Sequence, residues 1–502
     1  MRDARRVVHP APPGRVDATA LPARPRAVVI GGGIAGLTAA TGLIERGVEV
    51  DLVEREPNLG GRVGGWTEDV PGVGRAAMNR GFHAFFRQYY NLRNLLRRID
   101  PALSMLTPVN DYPLIDGQGR RDTFRGLPQT PPFNAVAFAL RSPTFRLRDL
   151  ARINARAAAP LATVSVPDIY ERLDHTDAAT FLRDINFPEA ARHLAFEVFS
   201  RSFFALPPEL SAAELATMFH IYFLGSSEGL VFDVAADNFD VALWNPLRTH
   251  LEANGVRFHT GVRATAVEPG FVVHCDSGAP LPADGVVLAT DVPGLQEIVA
   301  ASTDLGNDTW RAAVANLGTA PAFLVQRLWL GRPVAADRPA FLGTGGLPPV
   351  DNVSVLERYE RQAAEWAART GGSVVELHSY SVTDTSSDLP RRLVARLHEI
   401  FPETADAQIL GERLLMRRDC PRFAPGDFAG RPTVSTPVDG LALAGDGIRI
   451  DLPVALMERA ATTGWSAANR LLGHFGVTGH ALTTVPTTGR SAALRRLAQR
   501  GG

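Results

Sequence analysis

The chain contains no lysine. All 52 basic residues of this 502-residue sequence are arginines, and they offset 53 acidic residues to give a formal net charge of −1. A balance this even gives no general electrostatic attraction to nucleic acid, so we expect no nucleic-acid partner. Hydrophobic residues make up 45% of the chain, which is enough for a large buried core.

Cysteine is almost absent as well. The two cysteines, Cys275 and Cys420, stand far apart and form no CxxC pair. This excludes a disulfide framework and a cysteine-based zinc site, and it is compatible with a reducing compartment. We therefore expect no metal.

Long hydrophobic runs are also missing. One uncharged stretch, the 18 residues 27–44, reaches the length of a membrane span, but it contains five glycines and divides into a strand, a turn and a helix, so it does not indicate a membrane span. Residues 1–25 are rich in arginine and proline and lack the apolar centre of a secretory signal. We expect them to form a disordered leader, and we expect the same of the tail 476–502.

A nucleotide-binding pattern occurs in the segment "RAVVIGGGIAGLTAATGLIERGVEVDLVERE". The apolar run 27–30 predicts a strand buried on both faces, and Gly31, Gly33 and Gly36 then satisfy GxGxxG. The first glycine permits a tight turn, the second lets the backbone approach a pyrophosphate, and the third brings the next helix close to the sheet. The N-terminus of that helix offers free N–H groups and a positive dipole to phosphates.

A second predicted strand, 48–53, ends at Glu54, which lies 18 residues beyond Gly36. A carboxylate at this position accepts hydrogen bonds from the hydroxyls of a ribose. The order of strand, glycine turn, helix, strand and acid is typical of a dinucleotide-binding unit.

The following residues, "REPNLGGRVGGW", continue the pattern as E-x(5)-GGR, with Gly60, Gly61 and Arg62 after Glu54. This pattern resembles that of the flavin-binding amine oxidase and carotenoid desaturase superfamily. The resemblance implies FAD as the cofactor, with the paired glycines and the arginine against its phosphates and flavin. A guanidinium is well suited to a diphosphate.

Two further segments complete the cofactor site that the resemblance implies. A predicted strand ends at Gly445 and Asp446, which by resemblance contact the ribityl chain. A helix is predicted from Pro453 to Leu472, with Asp451 as its N-cap. Val262 stands where members of the superfamily contact the adenine with backbone groups.

These observations predict an α/β protein, in which an FAD-binding Rossmann-like domain of the GR2 type is interleaved with a mixed α/β substrate domain. The predicted FAD-binding parts are 26–100, 246–300 and 410–475, and the predicted substrate-domain parts are 101–245 and 301–409. The residues predicted to bind FAD are Gly31, Gly33, Ile34, Ala35, Gly36, Glu54, Arg55, Gly61, Arg62, Gly81, Phe82, Val262, Gly445, Asp446 and Met457.

An aromatic stretch, "GFHAFFRQYYNLRNLL", follows the glycine-rich motif. In this type of fold it passes the flavin, so Gly81, Phe82 and His83 are expected at the edge of the cofactor. A helix is expected to follow, with Tyr89 and Leu92 on its buried face.

Three segments together resemble those of bacterial carotene desaturase/methyltransferases that make aromatic end groups, the isorenieratene synthase type. The segments are "RGFHAFFRQYYNLRNLL", "SRSFFALPPELSAAELATMFHIYFLGSSEGLVFDV" and "LAGDGIRIDLPVALMERAATTG". The resemblance covers most of the chain from Arg26 to about Leu472. It implies oxidation of the β-ring of β-carotene, a methyl shift from C1 to C2 in the resulting cation, and loss of protons. Quinone or oxygen would then reoxidise the cofactor.

His83 is the candidate catalytic residue, because a histidine can accept a proton near neutral pH; a structural histidine is the alternative. Walls of an apolar cavity are expected from Phe203, Phe204 and the stretch 218–225, with plain core packing as the alternative.

The absence of lysine also bears on the reaction. Many amine oxidases of the superfamily place a lysine beside the flavin, which this chain cannot do, so amine oxidation is disfavoured. Arg87 and Arg201 are expected to be structural or flavin-side charges. The remaining alternatives are a carotenoid ketolase, a carotene desaturase or desaturase/isomerase, and a non-enzymatic protein that binds prenyl chains, similar to Rab GDP-dissociation inhibitors. The intact glycine motif, Glu54 and Arg62 argue against the last.

Residues 124–167 indicate a surface that faces a membrane. Six arginines oppose one acid, Asp149, and phenylalanine and leucine residues lie among them. Each arginine near an anionic leaflet contributes up to about 1 kcal/mol. We expect a cytoplasmic, monotopic protein attached peripherally to the inner face of the cell membrane; a solvated, arginine-rich helix pair is the alternative.

Overall fold

Five parallel strands from three separated parts of the chain form one sheet. They belong to a computed structural model that describes residues 3–145, 147–191, 202–384 and 386–489. In order across the sheet the strands are Arg257–Thr260, Glu49–Glu54, Arg26–Ile30, Gly285–Leu288 and Leu441–Leu443. Each neighbouring pair is parallel. The carboxyl ends of parallel strands meet at one edge of a sheet, so this edge brings three distant segments together.

Two helices at opposite ends of the chain pack closely beside this sheet. The helix Ile34–Ile44 follows the glycine turn, and the helix Leu456–His474 lies against it. A Cβ atom on Gly464 would lie 2.3 Å from the carbonyl oxygen of Ala35, a distance that no larger residue tolerates. The glycine therefore fixes the C-terminal helix beside the glycine turn.

A second sheet of seven strands is built from the predicted substrate segments and the first strand after them. In order its strands are Ile409–Arg417, Ala322–Leu330, Ser373–Val382, Asn352–Val355, Phe341–Gly345, Leu114–Asp116 and Arg121–Asp122. Only the pair Phe341–Gly345 and Leu114–Asp116 is parallel among these described strands. The helix Leu389–Ile400 packs Leu393 and Leu397 into one face of the sheet. The two sheets and their interleaved segments confirm the predicted fold class.

The other elements connect these two sheets. In the two-stranded sheets, Gly65–Val70 pairs with Gly74–Asn79, and Val7–His9 pairs with Leu482–Thr484. One three-stranded sheet consists, in order, of Phe85–Phe86, Phe232–Ala235 and Leu106–Pro108. Another consists of Ala264–Glu268, Val272–Cys275 and Leu281–Pro282. The other α-helices among the described residues are Tyr90–Leu96, Phe133–Arg141, Leu147–Leu150, Ala155–Ala162, Asp168–Leu173, Ala178–Asp184, Ala212–Phe219, Asn245–Ala253, Val292–Ala301, Asp308–Ala315, Arg361–Thr370 and Asp427–Gly430. In the described part of the chain, the π-helical segments are His220–Leu224 and Asp240–Trp244. The 3₁₀ turns there are Ala18–Ala20, Gly61–Val63, Pro207–Glu209, Leu356–Arg358 and Pro402–Thr404.

The prediction of disordered ends is wrong for residues 3–25 and 476–489. Val7–His9 pairs with Leu482–Thr484 in an antiparallel ribbon, and the amide of Arg15 donates to the carbonyl of Gly476 at 2.9 Å. Each end supplies the hydrogen-bond partners of the other, which the local composition of either end does not reveal. Residues 1–2 and 490–502 lie outside the described part of the chain.

Two local predictions also need correction. The aromatic stretch forms a short strand, Phe85–Phe86, before its helix, which spans only Tyr90–Leu96, although Tyr89 and Leu92 are buried as expected. The C-terminal helix begins at Leu456 rather than Pro453 and runs through Gly473. Asp451 is therefore not its N-cap; it is exposed and accepts a hydrogen bond from Arg449 at 3.0 Å.

Within the described ranges, no helix combines the length and the apolar character needed to cross a membrane.

Candidate functional site

A cavity of about 720 Å³ lies between the carboxyl edge of the parallel sheet and one face of the seven-stranded sheet. The parallel sheet contributes Ile30 and Glu54 to its wall, and the seven-stranded sheet contributes Val325, His378 and Tyr380. All the predicted site residues except Gly36 line this cavity, namely Gly31, Gly33, Ile34, Ala35, Glu54, Arg55, Gly61, Arg62, Gly81, Phe82, His83, Val262, Gly445, Asp446 and Met457.

The three motif glycines occupy different surroundings. A Cβ on Gly36 would lie 1.8 Å from the carbonyl oxygen of Gly31, so Gly36 allows the helix to pack on the strand and does not face the cavity. Gly31 has a φ of +112°, which favours glycine, and it forms the turn. A Cβ on Gly33 would meet only Gly61 Cα, at 3.9 Å. The backbone at Gly33 is therefore open to a ligand from the cavity, and the helix that follows it begins at Ile34.

Glu54 lies at the end of its strand, 9% exposed. Its Oε2 accepts the amide hydrogen of Gly32 at 2.6 Å, and its Oε1 accepts that of Glu56 at 2.8 Å. Burial raises the pKa of Glu54, although the two amides favour its ionised form. These amides fix the orientation of the carboxylate and leave each oxygen a second lone pair for the hydroxyls of a ribose.

Arg62 and Asp446 form an ion pair inside the cavity. Arg62 Nη1 donates to Asp446 Oδ2 at 2.9 Å, and Nη2 donates to Oδ1. Burial disfavours the charged guanidinium, but Asp446 outweighs this and raises the pKa of Arg62 well above its usual value. From the sequence, we expected Arg62 to contact the phosphates and flavin of FAD, and Asp446 to contact its ribityl chain. In the structure, the ion pair holds both side chains at one place in the cavity.

Two of the predicted residues, Arg55 and Val262, already make hydrogen bonds to other groups of the protein. Arg55 Nη2 donates to Asp291 Oδ2 at 2.8 Å. The amide of Val262 donates to the carbonyl of Glu54 at 3.0 Å, so any contact between Val262 and an adenine must use its carbonyl oxygen.

These residues fit FAD. An open backbone turn leads into the N-terminus of a helix, an oriented carboxylate lies at the end of the adjacent strand, and a guanidinium lines the same cavity. Among the described residues, no group of three His, Cys, Asp or Glu side chains is placed to hold a metal ion.

His83 lies in the cavity wall with its Nδ1 at 3.0 Å from the carbonyl oxygen of Gly81. Since a carbonyl only accepts, Nδ1 carries the hydrogen and Nε2 is the proton-accepting atom of the neutral ring. Burial lowers the pKa of His83 to about 4, and the nearby Arg80 adds to this effect, whereas the Gly81 carbonyl opposes it. The imidazole is therefore neutral at physiological pH.

Aromatic side chains also line the cavity. They include Phe82, which packs against Phe341 with ring centroids 4.3 Å apart, and Tyr112. The predicted wall residues Phe203 and Phe204 also line the cavity. None of residues 218–225 does; they form the end of one helix and a π-helical segment behind it, where Tyr222 packs on Phe86 at 4.6 Å. The prediction that this stretch forms a wall is therefore wrong.

Arg87 is structural: it lies outside the cavity and donates to Asp233 at 3.2 Å. Arg201, and the preceding Ser200 of the quoted motif, lie outside the described residues.

The sequence reasoning missed a polar group on the seven-stranded sheet. Glu376, His378 and Tyr380 are connected by hydrogen bonds, and the last two line the cavity. The alternation "ELHSY" in an otherwise apolar strand carries the signal, because residues two apart share one face of a strand. The ion pair of Arg80 with Asp419, at 2.6 Å in the same cavity, was also missed.

Known proteins resemble the chain at several levels. Residues 34–472 match the family described as flavin containing amine oxidoreductase. The carotenoid phi-ring synthase of Streptomyces griseus is 56% identical, over 99% of this chain and 97% of that protein. The carotenoid phi-ring synthase of Chlorobaculum tepidum is 28% identical, over 92% of this chain and 91% of that protein.

A solved structure shares the fold. Putrescine oxidase bound to putrescine matches with a TM-score of 0.65 at 15% identity, over 90% of this chain and 99% of that one. The chain therefore belongs to the flavin-containing amine oxidoreductase family, in which it groups with the carotenoid phi-ring synthases, and it is an FAD-dependent oxidoreductase.

Proposed function

We propose that the protein oxidises the β-ring of β-carotene to an aromatic end group, with one methyl group moving from C1 to C2. One observation carries the proposal: a single cavity combines a dinucleotide-binding turn with an aromatic wall, in a chain 56% identical to a carotenoid phi-ring synthase. The substrate would be a hydrophobic carotenoid, and quinone or oxygen would be the final electron acceptor.

The cofactor would be held by groups from all three parts of the chain. Gly33 and the start of the helix at Ile34 would face the diphosphate, and Glu54 would accept hydrogen bonds from the adenosine ribose. Gly31 and Gly36 would shape this turn. The other proposed FAD contacts are Ala35, Arg55, Gly61, Arg62, Gly81, Phe82, Val262, Gly445, Asp446 and Met457.

The reaction sets clear requirements for the protein. Each oxidation removes one hydride and one proton from the ring, and two oxidations with one methyl shift convert a β-ring into an aromatic ring. FAD, when bound, accepts the hydrides. The protein must orient the ring, exclude water from a cation and accept the protons. Phe82, Tyr112 and Phe204 meet the first two requirements, since aromatic faces also favour a nearby cation.

His83 is the proposed catalytic residue at the edge of the cofactor. Its neutral ring offers Nε2 as a proton acceptor, because Nδ1 is committed to the Gly81 carbonyl. A weak base is sufficient here, since a ring proton next to a carbocation is strongly acidic.

The rival functions differ in how well they agree with the site. A carotenoid ketolase and a carotene desaturase or isomerase need the same cavity, so the identity of the product distinguishes them. A protein that merely binds prenyl chains would need neither the open turn at Gly33 nor the oriented Glu54 carboxylate.

We also propose that the surface around the helix Phe133–Arg141 attaches the protein to a membrane. Phe133, Val136 and Leu140 are 63%, 51% and 61% exposed and form one stripe on this helix. The exposed arginines around it are Arg125, Arg141, Arg148, Arg152 and Arg156, and Arg146 lies outside the described residues. Phe138 is buried in the core and takes no part.

This surface would bind an anionic lipid leaflet. Apolar side chains would enter the interface, and the guanidinium groups would contact lipid phosphates. Such attachment would give a water-insoluble polyene a route into the protein, and it would place the protein at the inner face of the cell membrane.

Expression in cells that accumulate β-carotene tests the proposed reaction. Pigment extracts should show carotenoids with aromatic end groups, whereas cells expressing a Gly33→Ala variant should keep β-carotene. Unchanged pigment in cells that contain soluble, flavin-loaded wild-type protein would contradict the proposed substrate. A keto-carotenoid product would favour the ketolase instead.

A further inference from the structure

We propose that Arg80 and Asp419 bind the imide edge of the flavin ring, which carries the C2 carbonyl, the N3–H group and the C4 carbonyl. The guanidinium would donate to a ring carbonyl, and the carboxylate would accept the hydrogen of N3. The inference concerns the cofactor, so it does not depend on which carotenoid the protein oxidises.

Arg80 and Asp419 form an ion pair inside the cavity. Arg80 Nη2 donates to Asp419 Oδ2 at 2.6 Å, and both residues line the cavity. Their side chains are 14% and 13% exposed, so both charges are largely removed from water. An ion pair in such a place is stable only when further hydrogen bonds satisfy its remaining donors and acceptors.

Part of the hydrogen-bonding capacity of this pair is unused. Arg80 Nε and Asp419 Oδ1 are buried, and neither has a hydrogen-bond partner among the described residues. A guanidinium carries several N–H donors, and each carboxylate oxygen accepts more than one hydrogen bond. Because buried polar groups in folded proteins are nearly all paired, we expect a polar ligand to complete the ion pair.

The pair adjoins the loop that is predicted to border the flavin. Arg80 directly precedes Gly81 and Phe82 in the chain. Its amide donates to the carbonyl of Gly64 at 3.1 Å, which ties it to the glycine-rich segment after Glu54. The pair therefore lies where two of the predicted FAD-binding segments meet.

The charges of the pair also act on the neighbouring groups of the cavity. Burial lowers the pKa of His83 to about 4, and Arg80 and Arg62 add to this effect. Burial opposes the high pKa of Arg62, whereas Asp446 and, to a smaller extent, Asp419 raise it. These charged groups thus lie within electrostatic range of one another, at the predicted position of the flavin.

The chemistry of the pair selects among the groups that the cavity would hold. A carotene is a hydrocarbon and offers neither a donor nor an acceptor. Phosphates offer only acceptors, and Asp419 would repel their negative charge. The hydroxyl groups of FAD are expected at Glu54 and Asp446. The imide edge of the flavin places an N–H group between two carbonyl oxygens, and this pattern matches a carboxylate beside a guanidinium.

The pair would also set how readily the flavin accepts electrons. Reduction adds negative charge to the flavin ring, so a guanidinium beside it favours the reduced form and a carboxylate disfavours it. In the wild-type protein these two effects oppose each other. Removing either charge should therefore shift the reduction potential, and the two removals should shift it in opposite directions.

Titration of the apoprotein with FAD and with 3-methyl-FAD, in which a methyl group replaces the hydrogen on N3, tests the contact. Wild type should bind 3-methyl-FAD with about tenfold lower affinity than FAD, because a hydrogen bond to a charged group is lost. Asp419→Ala lacks the carboxylate and has room for the methyl group, so it should bind both flavins almost equally.

Glu403→Ala is the matched control for this titration. Glu403 accepts two hydrogen bonds from Arg338, at 2.7 and 2.6 Å, and both residues lie outside the cavity. This variant should keep the wild-type ratio of the two affinities. Equal affinities of wild type for the two flavins, or the same ratio in wild type and Asp419→Ala, would overturn the proposed contact.

Redox titration of the flavin-loaded protein gives a second measurement. Asp419→Asn should raise the reduction potential and Arg80→Gln should lower it, whereas Glu403→Gln and Arg338→Gln should leave it unchanged. Shifts of both cavity variants in one direction, or no shift in either, would also overturn the contact. Neither titration uses a carotenoid, so failure of the proposed β-ring oxidation would not change these results.

Discussion

Arg62 and Asp446 lie 384 residues apart in the chain and form an ion pair in the cavity. The first follows the glycine-rich motif and the second follows the last strand of the parallel sheet, so their contact joins the two ends of the proposed FAD site. Their side chains are 29% and 12% exposed, so solvent screens the pair only in part.

Arg62→Lys should weaken FAD binding about tenfold, equivalent to about 1.4 kcal/mol. Lysine keeps the charge but cannot donate two parallel hydrogen bonds, either to Asp446 or to a diphosphate. Fluorescence titration of the apoprotein with FAD measures the change. Arg413→Lys is the matched control, because Arg413 makes a two-pronged pair with Glu68 outside the cavity. Equal FAD affinities of the two variants would contradict the role of Arg62.

Gly33→Ala and Gly36→Ala should fail in different ways. An alanine at Gly33 has room and an ordinary φ of −78°, so the variant should fold with an unchanged melting temperature. Its methyl group would occupy the open side of the turn, and crowding of about 1–3 kcal/mol should weaken FAD binding roughly ten- to hundredfold. An alanine at Gly36 would clash with the Gly31 carbonyl at 1.8 Å, so this variant should lose stability even without FAD. Calorimetry and flavin titration separate the two outcomes, and tight FAD binding by Gly33→Ala would count against the proposed turn.

Glu458 should make the folded state less stable as the pH rises. Its oxygens accept the amides of Asn91 and Leu92 at 2.8 and 3.0 Å, and burial raises its pKa to about 8 in spite of them. The folded protein then holds a proton that the unfolded chain releases above its usual pKa of 4.5. The free energy of unfolding should therefore fall as the pH rises from about 4.5 to about 8, by up to roughly 5 kcal/mol.

Chemical denaturation across this pH range measures the effect. Glu458→Gln cannot release a proton, so its stability should fall less steeply with pH than that of wild type. The exposed control Glu365→Gln should keep the wild-type slope. Parallel slopes for wild type and Glu458→Gln would show that Glu458 does not titrate in this range.

Replacing both Phe133 and Leu140 by serine should abolish flotation with anionic liposomes. Fully burying one large apolar side chain stabilises by about 1.5–3 kcal/mol, so loss of two should weaken attachment by more than tenfold. The control replaces Leu414 and Met416, which are also exposed but lie on a strand of the seven-stranded sheet, at 47% and 36% exposure. Equal recovery of wild type with and without anionic lipid would remove the proposed role of this surface.

The glycine turn could be predicted from sequence because its requirements are local. The turn at Gly31, the open backbone at Gly33 and the carboxylate of Glu54 lie within one strand–helix–strand unit. Their spacing alone places them at the carboxyl edge of a parallel sheet. The same holds for Asp446, which directly follows a buried strand.

Contacts between distant segments could not be predicted in this way. The pairing of Val7–His9 with Leu482–Thr484 depends on a partner that neither segment identifies. The role of the stretch 218–225 was predicted wrongly, because an aromatic helix has the same sequence pattern whether it faces a cavity or the core. His378 was missed because the sequence does not say which face of its strand borders the cavity.

A structure of the flavin-loaded protein with β-carotene would show directly where the cofactor and the substrate bind. We expect the adenosine ribose within hydrogen-bonding distance of Glu54, the diphosphate over Gly33, and the β-ring in contact with Phe82 and Tyr112. FAD bound away from Glu54 and Gly33, or a carotenoid ring outside this cavity, would contradict it.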